Sequence, residues 1–373
     1  MVHEMSTPFC RWGILGTAHI ARKNWKAIRN AGNSALLAVA SRDPKRARQF
    51  IEECQADVYL QPTPTACGSY RELLDRNDID AVYIPLPTGI RKEWVIQAAR
   101  AGKHVLSEKP CAVSSADLRE MLDTCRENRV QFMDGVMFMH SQRLPLLRQT
   151  LDDGRSIGRV RRITSQFSFL PSADFVTTNI RTSNLLEPLG CLGDLGWYSI
   201  RFSLWVMNEQ LPHRVAGRVL AWHNPGAGPQ VPMEFSGEML FPGGESASFF
   251  CSFRTGNQQW ANVSGTHGYL HIPDFVVPFY GNEVSFETNA PVARDRSCCD
   301  FSMESYPRRL SVHEYSNGMA NAQESNMIRT FAEIVTSGQL QPRWGEQSLA
   351  TQRVLDALLC SARQDSNIVA VGG

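Results

Sequence analysis

Through the first third of this 373-residue chain, short apolar runs alternate with helical segments, an order that suits a doubly wound parallel sheet. Runs at 12–15, 35–40, 79–85, 104–107 and 130–133 read as strands. Helices are expected at 19–31, from Pro44 onward, and at 69–74, 91–100 and 114–127. Pro44 suits a first helical turn, while Gly32 and Gly102 suit helix ends. Beyond Met139 the texture changes. Alternating, aromatic-rich segments follow at 160–170, 215–222, 233–241, 246–253, 261–265 and 269–272, with no helices between them. Such strands belong to an antiparallel or mixed sheet. The stretch 224–229 reads as a loop, and helices are expected at 322–336 and 347–362. No internal repeat and no low-complexity tract stands out. The expected fold class is α/β, with a doubly wound domain over 1–134. An α+β domain over 135–373 would carry a large open, mostly antiparallel sheet.

The charge balance narrows the partners. With 38 basic and 37 acidic residues and a net charge of +1, nothing favours nucleic acid or an anionic membrane as the main partner. No run approaches the ~18 apolar residues of a spanning helix. The polar opening stretch 1–8 lacks the apolar core of a secretory signal. Ten cysteines include no Cys-x-x-Cys pair, and adjacent Cys298-Cys299 is poor ligand spacing. The expectation is no metal, buried reduced thiols and a cytoplasmic location.

The first strand runs into Gly13-Ile14-Leu15-Gly16-Thr17-Ala18-His19-Ile20-Ala21. Against the dinucleotide fingerprint of a Rossmann domain, Gly16 makes the tight turn and Ala18 lies where backbone approaches pyrophosphate. Ala21 allows close helix–strand packing. The turn Gly16, Thr17, Ala18 and the helix start His19, Ile20 would then offer N–H groups to phosphate, although an ordinary strand–helix turn can read the same way. At the end of the second strand stand Ser41 and Arg42 instead of the acid that accepts a ribose 2′-hydroxyl. A hydroxyl and a guanidinium suit a 2′-phosphate, so NADP is expected over NAD. Asp43, followed by Pro44, reads as a helix cap.

The chemistry is expected from three residues. Lys109, in Glu108-Lys109-Pro110, follows a buried strand at the carboxyl end of the sheet, where ligands bind in such folds. The competing reading is an exposed loop lysine. A cis peptide is expected before Pro110. Asp194 and Tyr198 are four apart and would share a helix face. A nearby ammonium could bring tyrosine, which titrates near ~10 when free, into range for proton abstraction. The competing reading for Tyr198 is packing in an aromatic stripe with Trp197, Phe202 and Trp205. Gly190, Gly193 and Gly196 are costly in a helix and suggest backbone close to a ligand or a facing strand.

Over nearly its whole length the chain resembles the Gfo/Idh/MocA oxidoreductases, nearest the dimeric dihydrodiol and NADP-dependent xylose dehydrogenases. The likeness lies in Trp12 to Thr17, Asp80 to Thr88, Gly102 to Pro110, Asn179-Ile180-Arg181, Gly193 to Tyr198 and Gly265 to Leu270. It implies that Lys109 is the family's motif lysine and that Tyr198 stands where many members carry histidine. It further implies that Pro85, Leu86 and Thr88 line the nicotinamide half of the site, that Glu108 sits beside the nicotinamide ribose, and that Arg181 approaches cofactor or substrate. It also implies a homodimer or homotetramer through the second domain's sheet. Ala18 for glycine, Arg91 for a common histidine, and Gly135 for a bulkier residue depart from the pattern.

Together these residues imply an NADP-dependent oxidoreductase, a sugar dehydrogenase in the broad sense. It would transfer hydride at a sugar- or diol-type alcohol or carbonyl carbon, with Tyr198 as acid/base, Lys109 assisting and Asp194 holding a neighbouring hydroxyl. The alternatives are a non-catalytic NADP-binding sensor, motivated by Ala18, and an enzyme that keeps its cofactor through the catalytic cycle.

Overall fold

The structure, a computed structural model, describes residues 9–224, 226 and 228–372. The polar stretch 1–8, and Pro225 and Ala227 of the 224–229 loop, lie outside the described residues. The first part of the chain is a regular β/α alternation: β1 (Cys10–Leu15), α1 (His19–Ala31), β2 (Ser34–Ala40), α2 (Pro44–Asp57), β3 (Thr65–Cys67), α3 (Tyr70–Leu74), β4 (Ala81–Ile84), α4 (Thr88–Arg100), β5 (His104–Ser107), α5 (Ser115–Glu127) and β6 (Phe132–Asp134). The strands form one parallel sheet in the order β3-β2-β1-β4-β5-β6. The strand order reverses between β1 and β4, and the carboxyl edge there is where doubly wound sheets bind ligands. Two local signals behave as their chemistry requires. Asp43 accepts from the Lys45 amide at 2.9 Å and caps α2, whose first residue is Pro44. Gly32 ends α1 in the left-handed region at φ 85°. The three-residue β3 was too short to be read from the sequence, and α4 starts at Thr88, a turn before the expected start.

Helix α6 (Arg143–Asp152) and β7 (Val160–Ser168) follow, then the one-turn α7 (Phe175–Thr178). A π-helical turn at Leu192–Gly196 runs into α8 (Trp197–Val206). The remaining strands are β8 (Arg214–His223), β9 (Val231–Leu240), β10 (Ser246–Ser252), β11 (Gln258–Gly265), β12 (Tyr269–Ile272), β13 (Glu283–Asn289), β14 (Val292–Ser297), β15 (Asp300–Glu304) and β16 (Arg308–His313). Helices α9 (Gln323–Ser337) and α10 (Arg343–Ala362) and the short β17 (Val369–Ala370) complete the chain. Nine strands make a sheet in the order β16-β13-β12-β11-β7-β10-β9-β8-β17, antiparallel throughout except for β7 with β10. Along β9 and β10 buried and half-exposed residues alternate, so one face is covered and the other open. The strands β13 to β16 were not anticipated, although β13 alternates, with Val284 and Phe286 buried. No helix among the described residues is long and apolar enough to cross a membrane.

By compactness the chain divides into a unit of Met1–His140 with Asn317–Gln352, and a unit of Ser141–Ser316 with Arg353–Gly373. This differs from the expected 134/135 boundary, which assigned all of the late helices to the second domain. The reason is the apolar stripe of α9. Met327, Ile328, Phe331 and Ile334 are buried with Trp12 of β1 and Trp25 and Ile28 of α1, and the rings of Trp12 and Phe331 lie 5.1 Å apart. Phe331 is fully buried. Phe331→Ala should therefore destabilise the first unit by about 3–5 kcal/mol, measured by denaturant unfolding.

Candidate active site

The carboxyl edge of the parallel sheet gathers most of the expected cofactor residues. Gly16 follows β1 at φ 114°, a conformation that only glycine adopts without strain, and its amide donates to the Ala40 carbonyl at 2.9 Å. A side chain there would meet Leu86 at 3.0 Å, so the turn after β1 abuts the loop after β4. Ala18 has an ordinary extended backbone (φ −66°, ψ 150°), so alanine is unstrained in place of glycine. Among the described residues α1 has neither a side-chain cap nor an acid in its first turn, which leaves the amides of Thr17, Ala18, His19 and Ile20 facing an uncapped helix start.

At the end of β2, Ser41 is buried and accepts from the Asp43 amide at 3.3 Å, whereas Arg42 is exposed. Burial pushes the Tyr70 phenol up, and the charges of Arg42 and Arg46 oppose that shift. Two guanidiniums thus lie near one phenol, beside the Gly16 turn. Sequence reading found Arg42 but missed Arg46 and Tyr70, because only the packing of α2 against β3 brings those elements together.

The turn after β5 is built on buried polar groups. Glu108 is 7 % exposed. Its Oε1 accepts from the Tyr83 hydroxyl at 2.6 Å and its Oε2 from the Lys109 amide at 3.2 Å. Burial, and then the Glu108 charge, hold the Tyr83 phenol well above its usual range. Gly135 is explained by the same carboxylate, because a Cβ there would lie 3.2 Å from Glu108 Oε1. The Lys109–Pro110 peptide is cis, as expected. Lys109 is half-buried rather than a solvent-exposed loop residue. Lys103, at the opposite end of the same strand, is structural: its ammonium donates to the carbonyls of Arg76 at 2.6 Å and Ile79 at 3.0 Å.

Thr88 and Arg91, both buried, stand in the first turn of α4. The Arg91 guanidinium donates to the Leu86 carbonyl at 2.9 Å, to Thr88 Oγ1 at 3.4 Å and to the Pro110 carbonyl. It joins the loop holding Pro85, Leu86 and Thr88 to the turn holding Lys109.

The second unit holds Arg181, Asp194 and Tyr198, and these three come together. Arg181 Nε donates to Asp194 Oδ2 at 2.7 Å. The charges of Asp194, foremost, and then of Glu187 and Tyr198 hold the Arg181 guanidinium above its ordinary value against the opposing effect of burial. Asp194 lies in the π-helical turn that runs directly into α8, of which Tyr198 is the second residue. The glycines face strands. At Gly190 (φ 51°) a Cβ would meet the Pro232 carbonyl oxygen at 2.1 Å, and at Gly196 it would meet Leu192 at 2.9 Å and Phe249 at 3.3 Å. The rings of Phe167 of β7 and Tyr198 form a T-shaped pair, with centroids 5.6 Å apart. Of the expected packing partners, Trp197 and Phe202 are buried, and Phe202 stacks on Trp205 at 6.1 Å. Phe167 also lines a cavity of about 460 Å³ with Phe169, Gln259, Val277 and Phe279. Seven cysteines are buried, as expected, but Cys298, Cys299 and Cys360 are exposed.

Comparison with known proteins adds a second line. Residues 10–136 match the model of the GFO_IDH_MocA oxidoreductase family, NAD-binding Rossmann fold, and residues 146–271 match the GFO/IDH/MocA C-terminal domain. The chain is 30 % identical over 355 residues to the D-xylose 1-dehydrogenase (NADP(+)) 2 of Haloferax volcanii, covering 94 % of this chain and 97 % of that one. It is 30 % identical to the mouse trans-1,2-dihydrobenzene-1,2-diol dehydrogenase, covering 72 % and 76 %. Its 35 % identity to the dTDP-3,4-didehydro-2,6-dideoxy-alpha-D-glucose 3-reductase of Saccharopolyspora spinosa spans only about half of each chain, 51 % and 54 %. Among solved structures, the 3-ketoreductase KijD10 of Actinomadura kijaniata, in complex with NADP and TDP-benzene, is similar at a TM-score of 0.77 and 25 % identity, over 94 % of this chain and 97 % of that one.

The backbone under Asp194 gives a direct test. Gly190→Ala forces a left-handed alanine into the Pro232 carbonyl, so it should cost more than about 2 kcal/mol of stability in urea unfolding.

Proposed function

This chain belongs to the Gfo/Idh/MocA oxidoreductase family, and we propose that it is an NADP-dependent enzyme acting on a sugar- or diol-type alcohol or carbonyl carbon. The observation that carries the chemical half of this reading is the Arg181–Asp194 ion pair, with Tyr198 within its electrostatic reach.

The first unit fits the dinucleotide. The left-handed φ of Gly16 disfavours any side chain at the turn, and the uncapped start of α1 suits a pyrophosphate. Asp43 Oδ1 is engaged in capping α2 through the Lys45 amide. Arg42, Arg46 and Ser41 suit a 2′-phosphate. Pro85, Leu86, Thr88, Glu108 and Lys109 would hold the nicotinamide half. When bound, this cofactor supplies or accepts the hydride.

The remaining work falls to side chains. In oxidation the Tyr198 phenolate takes the substrate's hydroxyl proton as hydride leaves for the cofactor, and in reduction the Tyr198 hydroxyl gives that proton back. Arg181 and Lys109 are the cations that favour its phenolate, and Lys109 also donates to the reacting oxygen. Asp194, steadied by Arg181, accepts from a neighbouring substrate hydroxyl. A homodimer or homotetramer through the open sheet face, and a cytoplasmic location, belong to the same reading; the open face of β9 and β10 and the family likeness support the first.

Tyr198→Phe should lower turnover by about 10²–10⁴-fold while NADPH still binds, and unchanged turnover would remove Tyr198 from the mechanism. The assay is nicotinamide absorbance with D-xylose, a dihydrodiol and a panel of aldehydes and deoxysugars. NADPH binding without any absorbance change across that panel would instead make the protein a cofactor-binding sensor. Arg42→Ala should weaken NADPH by roughly ten- to hundredfold and NADH far less, because charge-assisted hydrogen bonds contribute about 1.5–3 kcal/mol each. Equal weakening of both would make Arg42 a stacking platform for adenine.

A further inference from the structure

We propose that Arg91 is a positioning residue for the reaction: its guanidinium locks the turn bearing Lys109 to the nicotinamide-side loop. This deepens the proposed function and rests on it. Arg91 is 2 % exposed in the first turn of α4. Among the described residues its partners are the Leu86 and Pro110 carbonyls and the Thr88 hydroxyl, with no carboxylate. Thr88 Oγ1 also reaches the Pro110 carbonyl, at 3.5 Å.

Helix stability does not account for this placement. A cation at a helix N-terminus opposes the helix dipole, and burying a charge is costly when, as here, the acid of the same cluster, Glu108 beside Tyr83, makes no hydrogen bond to it. An apolar side chain would fill the same space without either cost. What only arginine supplies is a planar fork able to hold carbonyls of two different loops at once. The Leu86 carbonyl belongs to the loop after β4, and the Pro110 carbonyl is one residue beyond Lys109. With both held, Lys109 and the loop of Pro85, Leu86 and Thr88 keep one relative position. Further ties reinforce the edge: the Glu108 amide donates to the Ile84 carbonyl at 3.1 Å and the Gly135 amide to the Ser107 carbonyl at 2.7 Å. Hydride transfer tolerates little misplacement, so loosening this joint should slow the chemical step more than it weakens binding.

Arg91→Met, Arg91→Lys and Arg91→His separate positioning from simple support of the fold. On whichever panel substrate the wild type turns over, Arg91→Met should lower kcat by about 10–100-fold with KM within about threefold. The primary deuterium isotope effect, read with substrate deuterated at the reacting carbon, should rise because the hydride step becomes slower. Arg91→His, which keeps an N–H donor, should recover part of the loss, and Arg91→Lys, a point donor without the fork, less. A second measurement is independent of turnover: acetylation of Lys109 at neutral pH, followed by mass spectrometry with and without NADPH. NADPH should protect Lys109 in the wild type, and the protection should fall in Arg91→Met and Arg91→Lys, while Lys26, towards the end of α1, labels equally in all. Intact Lys109 protection in the folded variants, or a kcat and isotope effect unchanged from wild type, overturns the proposal. If Arg91→Met does not fold, Arg91→Lys and Arg91→His decide by the same criteria. A wild type silent on every substrate sinks the proposed function instead, and the labelling experiment still decides whether Arg91 holds Lys109.

Discussion

The parallel pairing of β1 with β4 is the contact on which the first unit depends. It places two chain segments far apart in sequence, the turn at Gly16 and the loop at Leu86, within van der Waals reach at one sheet edge. β5 then pairs with β4 and brings Glu108 and Lys109 to the same edge. Each strand end is tied to its neighbour by a backbone hydrogen bond: Gly16 to Ala40, Ser41 to Cys67, Glu108 to Ile84, Gly135 to Ser107. The loops that carry chemistry are therefore short, and their positions follow from the sheet rather than from their own stability.

Buried charge serves architecture on both units. Arg91 holds carbonyls in the first, and Lys103 does so at the opposite edge of the sheet. In the second, Arg143 and Asp274, 3 % and 7 % exposed, form an ion pair at 2.6 Å. Arg143 also donates to the Ser285 and Asp274 carbonyls, and Asp274 Oδ2 accepts from the Phe279 amide at 2.9 Å. Such pairs add little net stability over apolar packing, but breaking one leaves a charge stranded. Their effect is to make a loop position unique, and the loop of Phe279 forms part of the cavity wall beside Phe167.

The glycines at 190 and 196 show how backbone shape and chemistry are linked. They permit the chain to pass against β9 and β10 and to enter α8 through a π-helical turn. That turn carries Asp194 and is where the helix register departs from α. The acid there meets Arg181 from the preceding segment.

The sequence by itself determined the alternation that makes a doubly wound sheet, the turn at Gly16, the Asp43 cap and the lysine after β5. Each is encoded within a few neighbouring residues, by apolar period, a left-handed glycine or an Asp-Pro start. Only tertiary structure decided that α9 packs on β1 and α1, because an apolar stripe states that a helix is buried but not against what. Only it revealed Tyr83 under Glu108, Arg46 beside Arg42, Arg91 across two loops and Phe167 against Tyr198. Those partners lie on different elements, and nothing local in the chain distinguishes a buried arginine that holds carbonyls from the exposed arginines around it. Side-chain partnership across elements is set by packing, which no spacing rule along a single strand or helix contains.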